Sequence, residues 1–134
     1  MIKNYIEDII QDLTLCRAVS SFRVLKLEVG DEYAYVRVKC GLSSGDLLEF
    51  AEYIVIRKGK IKTETYSFHW QSADSRLRKR WDNVHHHKTI STFPNHLHLP
   101  GQVVASKPMT LKMILADIEE SLDPNARDQN YRNE

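Results

Sequence analysis

A chain of 134 residues, 42% hydrophobic and 28% charged, suits one soluble domain that buries a core without disulfide or metal staples. The longest apolar runs fall far short of the roughly 20 residues that span a bilayer, and the N-terminus lacks a signal peptide's basic-then-apolar layout. The formal net charge of +1 says nothing about partners, but its distribution does: from Arg57 to Lys88, nine Lys or Arg face only Glu64, Asp74 and Asp82. Cys16 and Cys40 form neither a metal-type spacing nor a disulfide framework. A cytoplasmic protein with reduced thiols and no membrane partner is expected.

Ile2 to Leu15 carries Ile2, Ile6, Ile9, Ile10 and Leu13 at three- and four-residue steps, which predicts an amphipathic packing helix. Ser20 to Cys40 alternates as a hairpin turning at Gly30-Asp31. Leu25, Leu27 and Val29 lie on one face with Ala34, Val36, Val38 and Cys40, while Tyr33, Tyr35, Arg37 and Lys39 take the other. After a loop at 41–46, a third strand runs from Leu47 to Lys58. A tight turn at Gly59-Lys60 leads into a fourth, Ile61 to Gln71, and Ser72 to Ser75 then turns into a fifth that ends near Asp82.

These turns set registers. If Lys58 pairs with Ile61, Glu52 faces Ser67 and Phe50 faces His69. If Ser72 pairs with Ser75, His69 faces Arg78 and Ser67 faces Arg80. Tyr66, Phe68, Trp70, Leu77 and Trp81 then take a core face with Lys79 as its only charge. The opposite face becomes a polar, mostly basic platform. Any one-residue slip would undo the grouping.

Beyond Asn83 the periodicity stops. Two prolines and a glycine exclude a helix from Val84 to Gln102 and leave a loop lying across the sheet, anchored by a buried Phe93. Val103 to Ala105 forms a short edge strand. Thr110 to Leu122 is the last helix, with Thr110 as N-cap and Leu111, Ile114, Leu115, Ile118 and Leu122 on one stripe. The fold class is α+β: a single domain over residues 1–122, with an antiparallel meander of about five strands and both terminal helices on one face. Residues 123–134 read as a polar, disordered tail.

Four ordered motifs resemble the TumE-like family of small prokaryotic toxins: Tyr-x-Phe-His-Trp-Gln at 66–71, Arg-Trp-Asp-Asn at 80–83, a His-His pair, and Phe-Pro-x-His-x-His at 93–98. The Glu52-Tyr53 pair precedes them at a matching distance. The likeness covers roughly residues 20 to 120. Where the family pattern has Ala-Pro before the His pair, this chain has Val84 and three histidines, so the pair maps onto His86 and His87. The resemblance implies a toxin role and a cognate antitoxin encoded nearby, and names no reaction.

The residues themselves suggest one. An RNA 2′-hydroxyl is its own nucleophile, so cleavage needs a base, an acid and cations for the developing phosphorane. Imidazole, with an ordinary pKa near 6.5, serves either proton transfer. Candidate catalytic residues are Glu52, His69, His86, His96 and His98. Arg76, Arg78, Arg80 and Lys88 are candidate phosphate contacts, since guanidinium donates paired bonds to phosphate. Gln71, Asp82 and Asn83 support them. The first reading is a possible endoribonuclease working by metal-independent acid–base chemistry. A non-catalytic nucleic-acid or partner-binding protein is the alternative. A further alternative is a metal-dependent nuclease or hydrolase. No cofactor is called for by the first reading. In the metal alternative, zinc or another divalent ion sits on His86, His96 and His98, because His-x-His on an extended segment turns both rings to one side and Asp82 can join them.

Overall fold

The computed structural model describes residues 1–85 and 87–122; the expected tail at 123–134 and the candidate His86 lie outside the described residues. The elements run α1 (Ile2–Leu15), β1 (Val19–Val29), β2 (Tyr33–Leu42), β3 (Leu47–Arg57), β4 (Lys60–Gln71), β5 (Leu77–Asp82), β6 (His96–Leu99), β7 (Gln102–Ala105) and α2 (Leu111–Leu122). All neighbouring strands pair antiparallel in the order β1-β2-β3-β4-β5-β6-β7. The meander therefore has seven strands rather than about five. The extra strand, β6, lies in the stretch expected to be a loop, where His96 to Leu99 alternates but is too short to stand out between Pro94 and Pro100.

Ile9 and Leu13 of α1 and Leu111, Ile114, Leu115 and Ile118 of α2 share one core with the even-numbered residues of the central strands: Val36, Val38, Cys40, Leu48, Phe50, Phe68 and Trp70. Phe50 and Phe68 are directly opposed, fully buried and stacked with centroids 5.6 Å apart. Each such ring contributes about 1.5–3 kcal/mol by leaving water. Trp70 and Trp81 are core residues, as their alternation predicts. Lys79 also lies on this face, where it pairs with Asp117 of α2 at 2.9 Å. Thr110 caps α2, accepting the Met113 N–H at 3.4 Å.

The first hairpin corrects one expectation. Leu27 and Val29 oppose Val36 and Ala34, on the face expected, yet are 47% and 59% exposed. The edge strand lies beyond the part of the face that the helices cover. Leu25, passed over where the register shifts between Val24 and Lys26, is also exposed.

The two central turns decide the site. Lys58 and Gly59 both have positive φ, 52° and 74°, so the two-residue turn is Lys58-Gly59, in the geometry that matches strand twist. Arg57 then pairs with Lys60, and a further shift between Tyr53 and Ile54 puts Glu52 opposite Tyr66 and Glu49 opposite His69. The turn error alone preserves parity. The bulge reverses it, because one inserted residue sends every later side chain to the other face. The turn after β4 is a three-residue one: Ser72 N–H donates to Arg76 O at 2.8 Å, and Ser75 has φ 68°. With a bulge at Arg78, His69 pairs with Arg80 and Ser67 with Asp82. The net shift beyond the bulge is two residues, so Lys79, Arg80 and Trp81 keep their faces, but Leu77, expected in the core, lies on the turn side of the bulge, pairs with Gln71 and is outside the core.

Candidate functional site

On the face away from the helices, one continuous row of directly opposed residues crosses five strands: Lys39, Glu49, His69, Arg80 and His98. Opposed residues in antiparallel strands lie about 5 Å apart. A parallel row, two residues along each strand, holds Arg37, Ala51, Ser67, Asp82 and His96. A polar cleft of about 290 Å³ opens over the first row, lined by Arg37, Lys39, Leu47, Glu49, Ser67, His69, Gln71 and Arg80.

Each member is held. Arg37 Nη1 donates to Glu49 Oε2 at 2.6 Å and Arg37 Nε to the Tyr35 hydroxyl at 3.2 Å. His69 Nε2 lies 3.2 Å from Gln71 Oε1. Arg80 Nε donates to Asp82 Oδ2 at 3.1 Å. Asp82 is 1% exposed. It also accepts the Val84 N–H at 3.1 Å and lies 2.8 Å from His96 Nε2 and 3.3 Å from His98 Nε2. Asn83 pins the strand end: it accepts the Tyr66 N–H and donates to Glu64 O, both at 2.9 Å. Asp82 and Asn83 thus tie the end of β5 to its neighbours.

The loop and β6 bring three imidazoles together over Asp82. His96 and His98 ring centroids are 4.8 Å apart, and His87 stands 5.3 and 5.7 Å from them. His96 Nδ1 lies 2.9 Å from Pro94 O. Burial pulls the His98 imidazole below its ordinary pKa; nearby His96, Arg80 and His87 push the same way and Asp82 opposes them. His85 turns aside, its ring 5.5 Å from that of Phe93.

Several expected site residues are elsewhere. Glu52 faces the helices, 3% exposed, and accepts the Tyr5 O–H at 2.9 Å. Burial raises its carboxyl pKa, partly offset by that hydrogen bond. The platform carboxylate is Glu49. Arg76 pairs with Asp74 in the exposed turn, and Arg78, displaced by the bulge, pairs at 3.1 Å with Asp46, which also accepts the Trp70 indole N–H. Only Arg80 of the three arginines joins the row. Lys88 is exposed on the loop. Phe93, expected to be a buried anchor, is 38% exposed, and Leu97 packs against the core in its place. His96 is 1% exposed, not a freely presented loop side chain. Both thiols are buried and without a disulfide, and burial pushes Cys40 up to about 12.

Glu49, Arg37 and Lys39 are the members the sequence reading missed, while His87, named there in the His pair, stands with His96 and His98. The signal for Glu49 was present, since Leu48, Phe50 and Ile54 place even-numbered residues of β3 in the core and odd ones opposite.

The family model described as Toxin TumE matches residues 6–122. The chain belongs to the TumE toxin family. The match extends from α1 through α2 and so includes every residue of the two rows. Membership carries a toxin role and implies an antitoxin partner. No curated protein and no solved structure matches the chain. Among the described residues, no helix is long and apolar enough to cross a membrane.

Proposed function

We propose that this TumE-family toxin cleaves RNA in the cytoplasm by metal-independent acid–base chemistry on its polar sheet face. The observation that carries the reading is the row Lys39, Glu49, His69, Arg80 on adjacent strands of a rigid sheet. Glu49 takes the 2′-hydroxyl proton, and the 2′-oxygen attacks phosphorus. The P–O5′ bond breaks as protonated His69 gives its proton to the departing 5′-oxygen. The products are a 2′,3′-cyclic phosphate and a 5′-hydroxyl.

Cations flank the pair. Arg80 beside His69 offers guanidinium donors to the phosphorane oxygens, and Lys39 lies on the other side. Arg37 fixes the Glu49 carboxylate in place through a bond of 2.6 Å. Gln71 orients His69. The cleft is open and polar, which suits a single strand whose backbone tracks the row rather than a small apolar ligand. A cognate antitoxin would silence the protein by covering this face.

Incubating purified protein with total RNA in EDTA tests the reading. Cleavage leaving cyclic phosphate ends, slowed about 10²–10⁴-fold in His69→Ala, is expected. Cleavage that EDTA abolishes and zinc restores, or a His69→Ala protein of full activity, would overturn it.

A further inference from the structure

Three imidazoles and one carboxylate converge at the end of the sheet beyond Arg80, and the cleavage chemistry proposed above uses none of them. One donor nitrogen from each of His87, His96 and His98 lies within 4.8 Å of the others. Asp82, 1% exposed, approaches two of them, with Oδ1 at 2.8 Å from His96 Nε2 and Oδ2 at 3.3 Å from His98 Nε2. We propose that His87, His96 and His98 bind a divalent transition-metal ion, zinc in class, with the Asp82 carboxylate as the fourth donor.

The tautomers favour a cation. Donation from His96 Nδ1–H to Pro94 O, 2.9 Å away, leaves the Nε2 lone pair turned toward the cluster. That is how an outer carbonyl commonly fixes a metal-ligating histidine. The donor chemistry is three imidazoles and one carboxylate. Such sets suit zinc, with metal–ligand distances of about 2.0–2.2 Å.

The geometry needs one adjustment. Tetrahedral donors at that range stand about 3.3–3.5 Å apart, so the cluster must close by somewhat over 1 Å. His96 and His98 are fixed in β6 by pairing on both sides. His87 is exposed on the loop and already holds a left-handed φ of 61°, uncommon outside glycine. It is the ligand that moves. The bound ion ties the loop at His87 to the sheet and neutralises the buried Asp82.

The test is zinc titration of the tag-free full chain after EDTA treatment and desalting, followed by calorimetry and thermal unfolding. One equivalent of zinc should bind, with a melting temperature that rises with free zinc, because only the folded chain presents the set. Cobalt(II) should give the intense visible bands of a tetrahedral site. His96→Ala risks misfolding, so the deciding variant is His87→Ala, exposed on the loop. It should lose more than the ~10–100-fold that removing a mere supporting partner costs, while His85→Ala, whose ring stacks on Phe93, binds like wild type. Wild-type protein that binds no zinc at micromolar concentration, or His87→Ala that binds as tightly as wild type, would overturn the proposal. These readouts contain no RNA, so they stand apart from the fate of the cleavage reading.

Discussion

Replacing Asp82 with alanine should be among the most damaging single changes on the polar face. The carboxylate is 1% exposed and lies within 3.3 Å of Arg80 Nε, the Val84 N–H, His96 Nε2 and His98 Nε2. These partners are unequal. The Arg80 side chain is 40% exposed and can exchange the carboxylate for water, so its share is below about 1 kcal/mol. His96 is 1% exposed with Nε2 2.8 Å from Oδ1, so the loss of the carboxylate there is not made good by water. With the Val84 N–H deprived of its acceptor as well, the total is about 3–5 kcal/mol, the usual cost of removing one partner from a buried ionic cluster. Urea unfolding in EDTA should show a lower midpoint with an unchanged m-value. At this chain length each kcal/mol moves the melting temperature by about 3–5 °C, so a fall of ~10–20 °C is expected. Asp74→Ala, which breaks the exposed pair with Arg76 and the Ser72 hydroxyl's bond in the same exposed turn, should move the midpoint far less. A loss below about 1 kcal/mol for Asp82→Ala would refute the view that this carboxylate organises the sheet end.

Glu52 should behave in the opposite sense. Burial raises its carboxyl pKa in the folded chain, so its protonated form is stabilising. That contribution is fully present below the unfolded carboxyl pKa and is lost as pH rises through the folded value. Glu52→Gln keeps an acceptor for Tyr5 and should flatten stability against pH, equalling or exceeding wild type at pH 8; a less stable mutant with the wild-type slope would count against this. RNA affinity should fall with salt at about −0.7 in log–log slope per phosphate contact. Removing Arg80 and Lys39 together should flatten that slope by more than one unit, whereas Arg76→Gln should leave it unchanged. The reverse ranking, from filter binding across salt concentrations, would move the contact surface to the β4–β5 turn.

Much of the fold is legible in the amino-acid pattern because α1, β2, β4 and α2 each repeat their apolar residues at one clear period. Ile2–Leu15 is recovered residue for residue, and the Ala34, Val36, Val38, Cys40 face is fully buried as read. The losses trace to single-residue events. Lys58 adopts φ 52° beside Gly59, which moves the turn by one residue, and the bulge at Tyr53/Ile54 then exchanges Glu52 for Glu49. Weighting the alternation of Leu48, Phe50 and Ile54 above the turn would have placed Glu52 in the core, since burial specifies register more strongly than loop chemistry does. Arg80 survived its own mispairing because two shifts on β5 preserved parity. The alternation of His96-Leu97-His98-Leu99 is too short to mark a strand by itself. The segment pairs because Trp81 and Leu97 share the core face, a contact between residues separated by an irregular loop.

The central claim is that chemistry resides in the row through Glu49 and His69. Cleavage of one defined single-stranded RNA by Glu49→Gln and Glu52→Gln proteins, under single-turnover conditions, tests it most directly. The account predicts a fall of about 10²–10⁴-fold for Glu49→Gln, with Glu52→Gln cleaving at the wild-type rate. Loss of activity on changing Glu52, with Glu49→Gln unimpaired, would contradict it.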